Sequence, residues 1–266
     1  MEEEKLVSFD LKANFGFLKK PDYNDGLLLS YNMLHKPALL GILGAILGLS
    51  GYQQKGIFPE YYEKLKDLPI GIEPLNHEKG NFQKTSVKYS NTVGYANSDG
   101  NLLIEETMLI HPAYRCYLLL SMSNSDHAKL YDYLKEGKAE YIPYMGKNEF
   151  QIWWIDESTG ENTFQEYNFN SGSSSNTTLP ILTFFRKTIN VRENTEDDSM
   201  ANYNPFEFVF SPETFMYFER LPIRFDAELR QYKLEDYAYS NMHLKAGVQL
   251  PHIYYLSSKE AYVQLI

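Results

Sequence analysis

The chain has 266 residues, 43% of them hydrophobic, which is enough for a packed core and argues against a disordered chain. A formal net charge of −10 argues against a free-standing nucleic-acid binder. The single cysteine, Cys116, rules out an intramolecular disulfide framework or a multi-cysteine zinc site, and its place in YRCYLLLS is that of a small buried hydrophobe.

The charge is uneven. Residues 1–150 hold 16 Lys and Arg against 19 Asp and Glu, and residues 151–266 hold 9 against 16. Contact with a polyanion is therefore expected through local patches in the first half, helped by partner subunits. The acidic start MEEEKLVSFD has no secretory pattern, and the lone cysteine suits a reducing compartment, so a cytoplasmic location is expected.

In chain order, LVSFDLKANFGFLKK alternates as a first strand with Val7, Phe9 and Leu11 on one face. Turn chemistry follows at Asp22 to Gly26. KPALLGILGAILGLSGY then predicts a helix over about 37–49, with Pro37 in its first turn and Lys36 at its cap. About twelve apolar residues are too few to span a membrane, where about twenty are needed. No Gly-Lys-Ser/Thr follows to make a phosphate loop. Gly41, Gly44 and Gly48 share one helical face, so this is expected to be a buried helix that approaches a neighbour closely.

FQKTSVKYSNTVGY (82–95) and LLIEETMLIHPAYRCYLLLS (102–121) read as long strands of a hairpin around ANSDGN. SDHAKLYDYLKEG predicts a second helix to about Lys135, capped by a serine or aspartate, and EFQIWWIDE a further strand. The order strand, helix, strand, strand, helix, strand is that of a ferredoxin-like or RRM-like α+β domain over 1–156. A β-rich region over 157–266 follows, interrupted by the polar stretches NSGSSSNTTLP and RENTEDDSMANYN.

No histidine spacing suggests a metal site, and no cofactor is expected. His35 beside Lys36 could be an acid/base pair, but an exposed helix-capping pair is the simpler reading. Asp197 and Asp198 read as a solvated acidic loop. Lys84, Ser86 and Lys88 fall on one strand face and could track phosphates, or simply face solvent. Lys36 at a helix amino terminus could add its charge to an anion site, and Lys19 and Lys20 could extend the same patch. Arg115, in an apolar strand, needs a carboxylate or phosphate partner.

Three segments, FDLKANFGFLKK, KPALLGILGAILGL and YIPYMGKNEF, together resemble the CRISPR-associated Cas five family of the RAMP superfamily, in the variant found in type I-B systems. The resemblance covers the first 155 residues or so. It implies an RRM-like fold with a β-hairpin thumb, here near 89–106. It further implies a non-catalytic Cascade subunit in antiviral defence that grips the 5′ handle of the guide RNA (crRNA). Its partners would be the Cas seven backbone and the Cas eight large subunit, with target DNA reached through the complex and no membrane contact. Carried over, Lys36, Lys84, Lys88, Arg115 and Lys147 become handle contacts, with Tyr89 and Tyr144 as stacking platforms. Some relatives cut repeat RNA with a set that includes an adjacent Lys-His; that dipeptide is absent here, so no catalytic residue is assigned. The alternatives are a metal-independent endoribonuclease of the same fold and a protein-only adaptor, the latter suggested by the acidic second half.

Overall fold

The computed structural model describes residues 3–21, 26–90, 103–156, 159–172, 178–186, 208–226, 228–229, 231–246 and 250–266. Residues 22–25 of the turn expected at Asp22 to Gly26, residues 91–102 with the expected ANSDGN turn, and the stretches 173–177 and 187–207, the latter holding Asp197 and Asp198, lie outside the described residues.

The first half contains β1 (Glu4–Lys12), β2 (Phe15–Gly16), β3 (Leu18–Lys19), β4 (Leu27–Leu28), β5 (Ser30–Tyr31), α1 (Lys36–Leu47) and α2 (Glu60–Leu65). It continues through β6 (Ile70–Leu75), β7 (Lys84–Ser90), β8 (Leu103–Ile110), β9 (Ala113–Ser121) and α3 (Ser125–Glu136). Among the described residues the later elements are strands: β10 (Gln165–Tyr167), β11 (Phe169–Ser171), β12 (Leu179–Pro180), β13 (Phe185–Arg186) and β14 (Phe208–Val209), then β15 (Met216–Asp226), β16 (Gln231–Ser240), β17 (His243–Leu244), β18 (Ile253–Leu256) and β19 (Ala261–Gln264).

The central sheet is antiparallel in the order β10-β1-β9-β6. Alternation along β1 and β9 decides its two faces. Val7, Phe9, Leu11, Tyr114, Cys116, Leu118 and Leu120 pack with α1 and α3 in the largest core cluster. Leu6, Tyr117 and Leu119 face the other way, against Leu256, Val263 and Leu265. The sheet is thus buried on both sides, by helices on one and by β18–β19 on the other. Phe184, Leu221 and Tyr237 belong to the same core as β1 and α1, so residues on either side of position 156 share it.

Three expected sheet members differ from the observed ones. The second strand is β6, whose IGIEPL holds a glycine and a proline that hid it. Ile70 and Ile72 hydrogen-bond outward, to Ile266 and Phe184. Pro74 shares their parity, so its missing N–H faces the outer edge and no bond to β9 is lost. The long 102–121 strand breaks at His111-Pro112: only β9 enters the central sheet, while β8 pairs with β7, β2 and β4 elsewhere. EFQIWWIDE alternates in burial, with Ile152 and Trp154 buried, but it makes only isolated bridges, and β10 takes the fourth place beside β1.

Helix α1 begins at His35, whose Nδ1 accepts the Ala38 amide, so the cap is His35 rather than Lys36. Both residues are buried, not exposed. The helix ends at Gly48, which takes the left-handed conformation (φ 77) and therefore serves as a cap, not as part of a packing face. Gly44 is the close approach. A methyl group there would meet Tyr61 of α2, with Cγ at 2.9 Å, whereas one at Gly41 would lie at an ordinary 3.9 Å. Gly44→Leu is expected to cost about 1–3 kcal/mol through overpacking, read as a lower denaturant midpoint with Gly41→Ala as the mild control. A wild-type midpoint for Gly44→Leu would refute the packing account. Helix α3 is capped by Asn124, which accepts from Asp126 and His127, rather than by the expected serine or aspartate.

Candidate nucleic-acid interface

The residues singled out from the sequence fall into three environments. The first is the ribbon made by β7 and β8. Lys84, Ser86 and Lys88 share one face, opposite Leu109, Thr107 and Glu105. Glu105 balances much of their charge: it accepts from Ser86 and lies 3.3 Å from the exposed Lys88 ammonium. Lys84 sits near Lys20 and Glu219, and burial lowers its pKa. Lys20 is 3.3 Å from Glu219, so it does join Lys84 in one cluster.

The opposite ribbon face holds Tyr89, and Lys147 lies over it at 4.7 Å from the ring centroid and over Phe17 at 5.2 Å. Lys147 also pairs with the buried Glu106. Burial acts to lower the Lys147 pKa, but the Glu106 hydrogen bond and charge outweigh it, so the net shift is upward and the ammonium stays charged.

The turn YMGKNEF holds Lys147 in place. Gly146 has φ 84, and a methyl there would overlap the Phe17 backbone, whose carbonyl carbon would lie at 2.7 Å. Phe17 donates its amide to Met145 at 3.1 Å, so the turn is joined to the strand region before α1. Tyr144 is exposed, and its backbone bridges to Gln151 in the same turn.

The second environment is buried. Lys36 donates to the backbone oxygen of Ile266 at 2.9 Å, and burial lowers its pKa to about 8, with Asp67 opposing the shift. It presents no free cation at the helix end. His35 is pushed to about 3 by burial, lies among the rings of Tyr31 and Tyr232, and is a neutral cap rather than one half of an acid/base pair.

The third environment is the far face of the central sheet. There Arg115 makes a two-pronged contact with Asp10, at 2.7 and 3.0 Å. Beside it Tyr117 donates to Glu73 at 2.7 Å, and burial raises the Glu73 pKa against that hydrogen bond. The partner that Arg115 required is a carboxylate.

The structure therefore brings Lys84, Lys88, Lys147 and Tyr89 together around one ribbon, adds Lys20, and sets the buried Lys36 and the partly buried Arg115 apart from it. Glu105 and Glu106 were not foreseen as partners. They stand next to each other in LLIEETMLI, but only the strand register shows that one faces Lys88 and the other Lys147.

No protein-family model matches the sequence, and no curated protein matches it. The solved structures it resembles include CRISPR-associated proteins. One, a Cas protein, is 15% identical with a TM-score of 0.33; the match covers 55% of this chain and 57% of that one, so this chain aligns with little more than half of its length. A chain of a CRISPR RNA-guided surveillance complex is 11% identical over 90% of this chain and 91% of its own, with a TM-score of 0.44. A CRISPR protein from Archaeoglobus fulgidus is 12% identical over 97% of each chain, with a TM-score of 0.40.

Proposed function

We propose that this chain is a non-catalytic subunit of a type I CRISPR surveillance complex, of the Cas five kind, that holds the 5′ handle of the guide RNA beside Cas seven and Cas eight subunits. The observation that carries this is the β7–β8 ribbon, with Lys84 and Lys88 on one face and Lys147 stacked on Tyr89 on the other. The ribbon leaves the chain between the second and third strands of the central sheet, where a thumb would stand. The sheet order, with a helix after its first and third strands, fits a ferredoxin-like RAMP domain. Glu105 and Glu106 hold the ribbon near neutrality, so phosphates must compete with them, and neighbouring subunits supply the rest of the attraction.

The test is guide-RNA binding by the reconstituted complex across a salt series. Glutamine at Lys84, Lys88 and Lys147 removes the three charges while leaving Glu106 a hydrogen-bond donor. The triple variant is expected to weaken retention and to flatten the log–log salt dependence by up to about 0.7 for each phosphate that is no longer neutralised. Unchanged affinity and slope would place the handle elsewhere. Metal-independent cleavage of repeat RNA by the purified chain would favour the endoribonuclease reading, and an assembled complex without RNA would favour the adaptor.

A further inference from the structure

At the base of the ribbon the chemistry changes from charge to amide. Where β8 gives way to β9, His111 adopts a left-handed conformation (φ 46) directly before Pro112, and Asn76, just after β6, adopts another (φ 52). Residues with a side chain hold such conformations against a penalty, and they concentrate at ligand clamps. Both residues line one open cleft of about 790 Å³, together with Asn14, Gln151 and Trp153. Both also border an adjoining cleft of about 340 Å³ that reaches Asn81 and Gln83.

The side chains of Asn14, Asn76, His111 and Gln151 make no hydrogen bond to the chain among the described residues, so their donors and acceptors remain available. One face of the Trp153 indole is covered by Trp154, with ring centroids 4.6 Å apart and planes 17° apart, and Trp153 lines the cleft. The charges at the rim are Lys12 and Asp156, 3.1 Å apart, which neutralise one another.

We propose that this cleft receives an unpaired nucleobase of single-stranded RNA, stacked against Trp153 and hydrogen-bonded along its edge by Asn76, His111 and Gln151. Amide side chains offer a donor and an acceptor side by side, as a base edge does, and an indole stacks on any base. A phosphate would find no net positive charge here. A sugar would look for carboxylates to accept from its hydroxyls, and the one carboxylate in the lining is engaged by Lys12. The proposal deepens the RNA-binding reading above and rests on it: the ribbon supplies charge and the cleft supplies base contact.

The two can fail separately. The chain is titrated together with the partner subunits of the reconstituted complex, with the binding of those subunits alone subtracted, by fluorescence anisotropy with short oligo(A), oligo(U) and oligo(C) RNAs and with an abasic oligomer of the same length, at several salt concentrations. The variants are Asn76→Gly and His111→Gly, which tolerate positive φ, together with Gln151→Ala. Wild type is expected to prefer base-bearing RNA, and the combined variant to lose about tenfold in affinity for it. Abasic binding and the salt slope should not move. The triple glutamine variant of the ribbon should show the reverse, a flatter slope with base preference intact. Equal wild-type affinity for abasic and base-bearing RNA would overturn the cleft proposal alone, as would variants that bind like wild type. Competition by a maltooligosaccharide and not by nucleosides would overturn it in favour of a sugar site. Absence of any RNA binding that depends on this chain would overturn the cleft and the RNA-binding reading together.

Discussion

Glu219→Ala is expected to lower stability by about 3–5 kcal/mol, because two buried backbone amides lose their acceptor. The Glu219 carboxylate, on β15, accepts the backbone amides of Asn32 and Met33, each at 3.0 Å, and lies 3.3 Å from the Lys20 ammonium. Its side chain is only 7% exposed, so water cannot replace it as acceptor. The same loop is held by Asn32, which donates to the Gly80 carbonyl at 2.8 Å and accepts from the Phe82 amide at 3.0 Å, and by Tyr114, which donates to the Asn32 carbonyl. One carboxylate from the second half of the chain therefore fixes the segment that enters α1. Glu219→Gln keeps an acceptor and should lose roughly half as much. Urea melts followed by far-ultraviolet circular dichroism give both values. A loss below about 1 kcal/mol for the alanine variant would mean that the loop holds itself.

Acid should destabilise the fold through His35. Burial lowers its pKa from 6.5 to about 3, so between those values the unfolded chain takes a proton that the folded chain refuses. The contribution is fully present above pH 6.5 and is lost as pH falls toward 3, at about 1.4 kcal/mol per pH unit. His77 and His127 are also lowered by burial and act in the same direction, so the informative quantity is a difference. His35→Asn keeps an acceptor for the Ala38 amide and removes the titration. Melts at pH 7, 5.5 and 4.5 should show wild type losing more stability than this variant with each step down. Parallel curves would mean that His35 is protonated in the folded state.

Composition and local pattern were enough for some elements. The apolar, glycine-punctuated run from Lys36 fixes α1 as a buried helix, because it is hydrophobic all round and too short to span a membrane. The alternation of Val7, Phe9 and Leu11 fixes β1, and the closing Gly137 fixes the end of α3. What local pattern does not carry is which strands meet. FQKTSVKYS and EFQIWWIDE look more strand-like than IGIEPL or QEY, yet the central sheet takes the latter pair. Its edge position tolerates Pro74, and its two buried faces are filled by partners from distant parts of the chain.

The same division holds for the candidate site. Residue type and strand spacing marked Lys84 and Lys88 on one face, and the family resemblance added Lys147 and Tyr89. Tertiary structure alone decided that Lys36 would be buried against Ile266, that Arg115 would find Asp10, and that Lys147 would stack on Tyr89 and pair with Glu106. A charge in sequence has no address. Whether it faces a phosphate or a carboxylate depends on strand register and on what packs over it, and both are set by contacts between residues more than a hundred positions apart.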